Sequence, residues 1–278
     1  MTEKIVIITG SSSGFGLLTS LEFAKKGYLV IATMRNVEKR TKLLEEAALL
    51  HIERNIKVHQ LDVTSQKSIE NFTSFINDLG RVDILINNAG YASGGFVEEI
   101  PLEEYRNQFE TNVFGAIAVT QAVLPVMRRQ KHGKIINVSS ISGKMGFPGL
   151  SPYVASKYAL EGWSESLRLE LKPFGINVSL IEPGSYNTNI WEIGQKLAED
   201  SSESESPYKE YMKKIEQHIH NGSASFGNPQ DVAEKIVSIA QSHHPTLRYP
   251  IGKRVKLMIL LKNVLSWKWW EFLVLKRF

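Results

Sequence analysis

Short, nearly continuous apolar runs recur along the chain at 4–9, 28–33, 56–60, 83–86, 133–139 and 176–181. They are rich in Ile and Val and too short for buried helices, so they read as strands with both faces covered. Between them the polar and apolar positions change to a helical period. The first such stretch carries an apolar stripe through Leu17, Leu21 and Ala24 and stops at Gly27; others span 37–54, 66–78, 102–130 and 152–174. Strands that alternate with helices in this way predict a parallel sheet with helices on both sides, a doubly wound α/β domain. The rhythm breaks from Ser185 to Phe226, where Ser201-Ser202-Glu203-Ser204-Glu205-Ser206 forms a polar patch. An insertion after a strand's C-terminal end suits a substrate loop, about 185–228, although a solvated helical excursion without a role fits the same pattern. Pro229-Gln230-Asp231 then opens a helix that runs to about Gln241. No tandem repeat is present.

At 278 residues the chain is the size of one α/β domain. The pattern assigns 1–252 to that domain and 253–278 to a basic, Trp-rich extension. The absence of cysteine excludes disulfides, thiolate metal ligands and cysteine nucleophiles, and no metal site is expected. The first apolar run is too short for a signal-peptide core, and no run approaches the ~20 apolar residues of a membrane span. The expected location is the cytoplasm. The net charge of +4 is uneven: from Arg248 onward eight Lys/Arg face only Glu271, a net of +7, which leaves about −3 on the rest. A mildly acidic domain gives no case for nucleic acid.

Thr9-Gly10-Ser11-Ser12-Ser13-Gly14-Phe15-Gly16 lies between the first strand and the first helix. Glycines allow a tight turn and close approach of a phosphate, and the helix N-terminus offers unpaired N–H groups and a partial positive charge. A tight strand–helix turn alone satisfies the same pattern. The second strand ends Ala32-Thr33-Met34-Arg35, without the acid that would bind an adenosine ribose in NAD. The Arg35 guanidinium suits a 2′-phosphate, so the expected cofactor is NADP(H) rather than NAD, with a plain surface arginine as the alternative.

Tyr153 and Lys157 lie four residues apart, on one face of a predicted helix. A nearby ammonium favours a phenolate and lowers the phenol pKa from about 10, toward the range useful for acid–base catalysis. Ser140, thirteen residues earlier, follows the strand predicted at 133–139, and the C-terminal ends of such strands are where ligands bind.

With these elements the chain resembles the short-chain dehydrogenase/reductase family, from about Lys4 to Gly252. The 9–16 turn, Asp62-Val63, Asn87-Asn88-Ala89-Gly90, Asn112, Ser140, Tyr153, Lys157 and Pro183-Gly184 occur in the family's order. The resemblance implies a Rossmann-type fold. It implies that Tyr153 is the acid–base, that Ser140 holds the substrate oxygen, that Lys157 tunes Tyr153 and binds the nicotinamide ribose, and that Asn112 anchors a water of the proton relay. Asp62 and Val63 would meet adenine, and Asn88, Ala89 and Gly90 the adenosine side and central ribose. Pro183, Gly184 and Thr188 would border the nicotinamide. Many NADP-using relatives carry a basic residue before the second glycine; this chain has Ser13, so cofactor preference rests on Arg35. The 32–35 stretch and the long insertion are most similar to the branch of 17β-hydroxysteroid and retinol dehydrogenases. A homo-oligomer is implied by the resemblance alone.

Phe96, Ser142, Met145, Phe147, Tyr186 and Trp191 flank the expected site and suggest a hydrophobic alcohol or ketone, with core packing as the equal alternative. In the extension, Leu257, Met258, Leu261, Val264 and Leu265 share a predicted helical face beside lysines. Packing of this face on protein is favoured over an anionic membrane surface. Two other classes of function remain: a non-enzymatic NADP-sensing module, which the Tyr153/Lys157 pair weighs against, and a membrane-associated interaction protein that uses the tail.

Overall fold

The computed structural model of the protein describes residues 4–188, 205–222 and 226–276, with side chains up to 217 in the second stretch. Strand β1 (Ile5–Ile8) shows why its run does not alternate. Ile5 and Ile7 pack with Phe72, Ile76, Val123 and Met127 on one face; Val6 and Ile8 pack with Leu17, Leu21, Val30 and Ile236 on the other. Every position is needed by one of two cores.

The same logic builds β2 (Leu29–Met34), β3 (Ile56–Gln60), β4 (Ile84–Asn87), β5 (Gly133–Val138) and β6 (Ile176–Pro183). A seventh strand, β7 (Arg248–Ile251), completes a fully parallel sheet in the order β3-β2-β1-β4-β5-β6-β7. The sequence reading did not include β7. It is half-buried, carries Pro250 and lies at the sheet edge, so it lacks the apolar run of a central strand. Helices α1 (Gly14–Lys25) and α2 (Thr41–Leu49) cover one face, and α3 (Gln66–Leu79) covers the other.

The stretch 102–130, expected as one helix, contains α4 (Leu102–Phe109), a π-helical turn (Glu110–Phe114) and α5 (Gly115–Gln130). By length and composition it is the one described helix apolar enough to cross a membrane, which the sequence reading did not register. Its Val119, Val123, Val126 and Met127 are buried against the sheet, so its hydrophobicity is that of a core helix. Helix α6 (Ser151–Leu171) lies on the same face. In the insertion, α7 (Lys209–Gly222) brings Met212 and Ile215 against Phe96. Helix α8 (Pro229–Gln241) starts with Pro at its first position, and Asn228 caps it by accepting from the Gln230 N–H.

The extension folds as two short helices, α9 (Val255–Val264) and α10 (Trp267–Leu275). Val255, Met258, Ile259, Trp270 and Val274 pack on Ile141, Met145 and Phe147. The stripe expected at 257–265 is therefore divided. Met258 faces the domain, Leu257, Leu261 and Val264 face outward, and Leu265 ends the helix in an extended conformation. A helix apolar nearly all round has no single face for periodicity to select.

Because the chain moves outward from β1 through β2 and β3 and then returns to β4 on the other side, the sheet has its switch point between β1 and β4. A crevice opens at that point, beyond the strand ends.

Candidate active site

The glycine turn follows β1 at this crevice. Gly10 and Gly14 adopt φ of +69° and +55°, which side chains rarely tolerate. A Cβ on Gly16 would run into the Gly10 carbonyl and the Asn88 amide. Asn88 Nδ2 donates to the carbonyls of Thr9 (2.8 Å) and Gly10 (3.1 Å), and Thr9 Oγ1 accepts the N–H groups of Asn88 and Ala89, each at 2.9 Å. The 87–90 loop thus holds the turn in shape. Ser13 stands at the N-cap of α1 without a side-chain capping bond, and the helix's first turn has no acid. Its N–H groups suit an anion, and the close-packed glycines form a cradle that side chains would fill; both features fit a dinucleotide pyrophosphate. Thr188 sits over Gly14, whose Cβ would meet the Thr188 Cβ at 3.7 Å.

Beyond β2, Ser12, Arg35, Asn36 and Lys39 line a cavity of about 290 Å³. Arg35 has no ion pair among the described residues and also borders a neighbouring cavity of about 480 Å³ with His59, Gln60 and Asp62. Asp62 Oδ1 accepts from the Thr64 N–H (3.0 Å) and Oγ1 (2.7 Å), which shapes the loop, while Val63 packs on Gly115. The sequence reading missed Asn36 and Lys39. Lys39 lies one turn beyond Arg35, and the cationic spacing Arg35, Lys39, Arg40 was the available signal.

Tyr153 and Lys157 meet on the inner face of α6, each 5% exposed. Lys157 Nζ donates to the Val138 carbonyl at the end of β5 (2.8 Å) and lies 5.6 Å from the Tyr153 ring centre. Ser140 accepts from the Ser142 N–H (3.1 Å) and hydrogen-bonds the Tyr153 phenol. Burial pushes Tyr153 up to about 12, and the Ser140 bond only partly opposes it. Burial pushes Lys157 down to about 8, against the pull of Glu161. The phenol was expected to be lowered by its neighbour. The shift runs the other way, because burial costs the phenolate its water and the Ser140 bond does not make up for it.

Asn112 occupies the π-helical turn. Its Oδ1 accepts the Tyr91 N–H (3.1 Å), and its Nδ2 donates to the Tyr91 carbonyl (3.0 Å) and to Ser156 Oγ (3.1 Å). Ser156 Oγ donates to the Tyr153 carbonyl (2.8 Å), so Asn112 braces the loop after Gly90 against the turn of α6 that carries the tyrosine. Ser156 was not foreseen; a serine inside a helix gives no distinctive signal.

Residues 4–198 match the sequence profile of the short chain dehydrogenase family. The chain belongs to that family. An uncharacterized oxidoreductase of Bacillus subtilis (strain 168), YusZ, is 49% identical over 100% of this chain and 99% of its own. Retinol dehydrogenase 8 of Homo sapiens is 38% identical over 94% of this chain and 85% of its own. The crystal structure of an actinorhodin polyketide ketoreductase with NADPH covers 91% of this chain and 97% of its own, with a TM-score of 0.76 and 28% identity.

In this short-chain dehydrogenase Ser140, Tyr153 and Lys157 lie together at the end of β5, and the glycine turn, Asn88–Gly90 and Thr188 lie together beyond β1; Thr188, expected beside Pro183 and Gly184, stands against Gly14. Pro183 ends β6, and Gly184 donates its N–H to the Ile251 carbonyl (3.0 Å). Most of the side chains expected to flank the site take part in packing, the alternative that the sequence left equally open. Tyr186 is buried in the main core, edge-on to Phe15 at 5.6 Å; Met145 is fully buried under the tail; Ser142 is buried; Phe96 stacks on Tyr208 at 4.1 Å. Aromatic and apolar residues near a site serve packing as readily as binding. Phe147 is partly buried against the tail. Trp191 and residues 201–204 lie outside the described residues.

Proposed function

We propose that this chain is an NADP(H)-dependent oxidoreductase that moves hydride between nicotinamide and a carbonyl or secondary alcohol of a hydrophobic substrate. The observation that carries the reading is the buried contact of Tyr153, Ser140 and Lys157 at the strand ends that face the glycine turn. When bound, the cofactor supplies the hydride. Tyr153, with its pKa near 12, is protonated at neutral pH and donates to a substrate oxygen that gains negative charge. Ser140 holds that oxygen by hydrogen bonding. Lys157, most of it still ammonium at neutral pH, offers donors and positive charge beside the phenol. A neutral phenol serves reduction directly, whereas alcohol oxidation needs the phenolate and is expected to gain as pH rises.

Cofactor choice is supported by the cavity of Ser12, Arg35, Asn36 and Lys39, which gathers two cations and no acid around the place of a 2′-phosphate. The NADPH-bound ketoreductase has the same fold. A hydrophobic substrate is supported by the apolar tail beside Ser140 and by the likeness to a retinol dehydrogenase. A closed homo-oligomer belongs to the same proposal, and the mass in solution tests it.

The decisive test is a screen of aldehydes and ketones with NADPH, run on the native chain and on Tyr153→Phe. Turnover by the native chain that falls roughly 10²–10⁴-fold in the variant is the expected result. A broad screen without turnover removes the proposal.

A further inference from the structure

The two tail helices are apolar on both sides, and only one side is covered. Val255, Met258, Ile259, Trp270 and Val274 face the domain. Leu257, Leu260, Leu261 and Val264 on α9, and Trp267, Trp269, Phe272, Leu273 and Leu275 on α10, face solvent with 36–73% of their surface exposed. At roughly half of a large side chain's area apiece, they expose on the order of 900 Å² of apolar surface along two consecutive helices, where the largest patch of a typical monomer is ~300–600 Å². The other large exposed apolar residues are spread over α2, α4, α6 and their loops.

The charge around this surface is mostly positive. Lys253, Arg254, Lys256, Lys268 and Lys276 are exposed on the same helices and their approach, with Glu271 as the one acid. Lys262 lies over the Trp267 ring at 4.3 Å, its charge held beside an exposed indole. We propose that the outward face of α9 and α10 seats the protein on an anionic membrane surface. Leucines and phenylalanine would enter the acyl boundary, the tryptophans would lie at headgroup level, and the lysines and arginines would meet lipid phosphates. A second copy is the other occupant to weigh. A two-fold pairing of this face would bring two segments 253–278, each of seven Lys/Arg and one Glu and so of net +6, together, and that repulsion opposes the contact.

The docked geometry bears on the cleft. Val255 Cγ2 lies 2.6 Å from where a Gly184 Cβ would be, and the inward face of the tail rests on Ile141, next to Ser140. The same hairpin that meets the lipid therefore roofs the strand ends, and an apolar molecule dissolved in the leaflet would reach that edge without crossing bulk water. The docking does not depend on the oxidoreductase reading, since it is measured as binding.

The test is flotation of the full chain with vesicles of phosphatidylcholine alone and of phosphatidylcholine mixed with phosphatidylglycerol, at low and high salt. Binding to the mixed vesicles, roughly tenfold weaker to phosphatidylcholine alone and weakened by salt, is expected. Trp267→Ser combined with Trp269→Ser and Leu273→Ser should abolish flotation while thermal stability is kept; Lys256→Glu with Lys268→Glu should remove the preference for anionic lipid. No binding to mixed vesicles overturns the proposal, as does binding that survives both sets of changes. It is equally overturned if the chain runs as a multimer that the Trp/Leu variant dissociates and no vesicle is bound, because the face would then join two copies.

Discussion

The two halves of the cleft are built by different means. The half at the glycine turn is close backbone approach pinned by one side-chain amide: Gly10 beside Ala89, Gly16 beneath the Gly10 carbonyl, and Asn88 Nδ2 holding both Thr9 and Gly10. The half under the tail and the insertion is side chain against side chain: Ile141, Met145 and Phe147 under Met258, Ile259 and Trp270, and Phe96 under Met212 and Ile215. Close backbone approach admits almost no substitution, whereas a cluster of aliphatic and aromatic side chains tolerates many repackings of similar volume. The lesson is that the glycine turn is held by contacts that leave no room for a side chain, while the wall beside the tail is held by contacts that can be repacked.

Gly16→Ala tests the rigid half with the largest expected effect. The new methyl group would meet a carbonyl and an amide that are already committed to each other, so the turn must open. Stability should fall by about 1–3 kcal/mol, and affinity for the dinucleotide by more than tenfold, read by thermal melting and cofactor titration. Retention of native affinity would show that the turn is not the rigid element. Arg35→Asp perturbs the same half at its edge. Replacing a cation by an anion beside Ser12 and Lys39 should lower kcat/KM with NADPH by roughly ten- to a hundredfold, about 1.4–3 kcal/mol, and leave NADH little affected. Unchanged preference would separate this cavity from the 2′-phosphate.

The same difference explains what the sequence disclosed. β1 to β6 were legible because strands buried on both faces must be apolar at nearly every position, and the glycine turn was legible because its backbone requires glycine at stated spacings. Tyr153, Lys157 and Ser140 were legible because a helix spacing and a strand end place them together. β7 was not, since a four-residue edge strand with a proline has no hydrophobic signature. The break at Glu110–Phe114 was not, since a π-helical turn adds one residue to a stretch whose composition stays helical. Nor was the direction of the Tyr153 shift, which depends on how dry the site is. The division of the tail into inner and outer faces depends on the shape of the patch it lands on, Ile141 and Met145, more than a hundred residues away.

Trp270→Ala tests the adaptable half. The indole is 5% exposed and joins α10 to the domain. Truncating a buried tryptophan usually costs about 3–5 kcal/mol, but a terminal hairpin can detach on its own, so the loss should be confined to the tail. Hydrogen exchange is expected to accelerate in 253–276 while β1 to β6 keep their protection. KM for a long apolar carbonyl should rise roughly three- to tenfold, with the KM for NADPH unchanged. A matching rise in both KM values would mean that the two halves are not independent.

The seam between the halves carries a buried charge cluster, which gives the smallest and most specific prediction. Glu182, on β6 just before Pro183, is fully buried; Glu161 lies one turn beyond Lys157; Lys144 belongs to the loop after Ser140; and Arg248 sits on β7. Lys144 is 3.1 Å and Arg248 3.0 Å from Glu161, and Arg248 is 3.2 Å from Glu182 Oε1 without the alignment of a hydrogen bond. Burial, with the Glu161 carboxylate beside it, raises Glu182 to about 7. Between the unfolded value near 4.5 and about 7 the folded protein binds more protons than the unfolded chain. Stability is therefore greatest at the acid end of that window and declines as pH rises through it. Glu182→Gln removes the ionisation and keeps the shape. Its melting temperature should exceed that of the native chain by roughly 2–4 °C at pH 8, with the gap closing as pH falls toward 5. A gap of the opposite sign would mean that the ionised Glu182 is held well enough by Arg248 to stabilise the seam, and that the join between rigid and adaptable halves depends on charge rather than tolerating it.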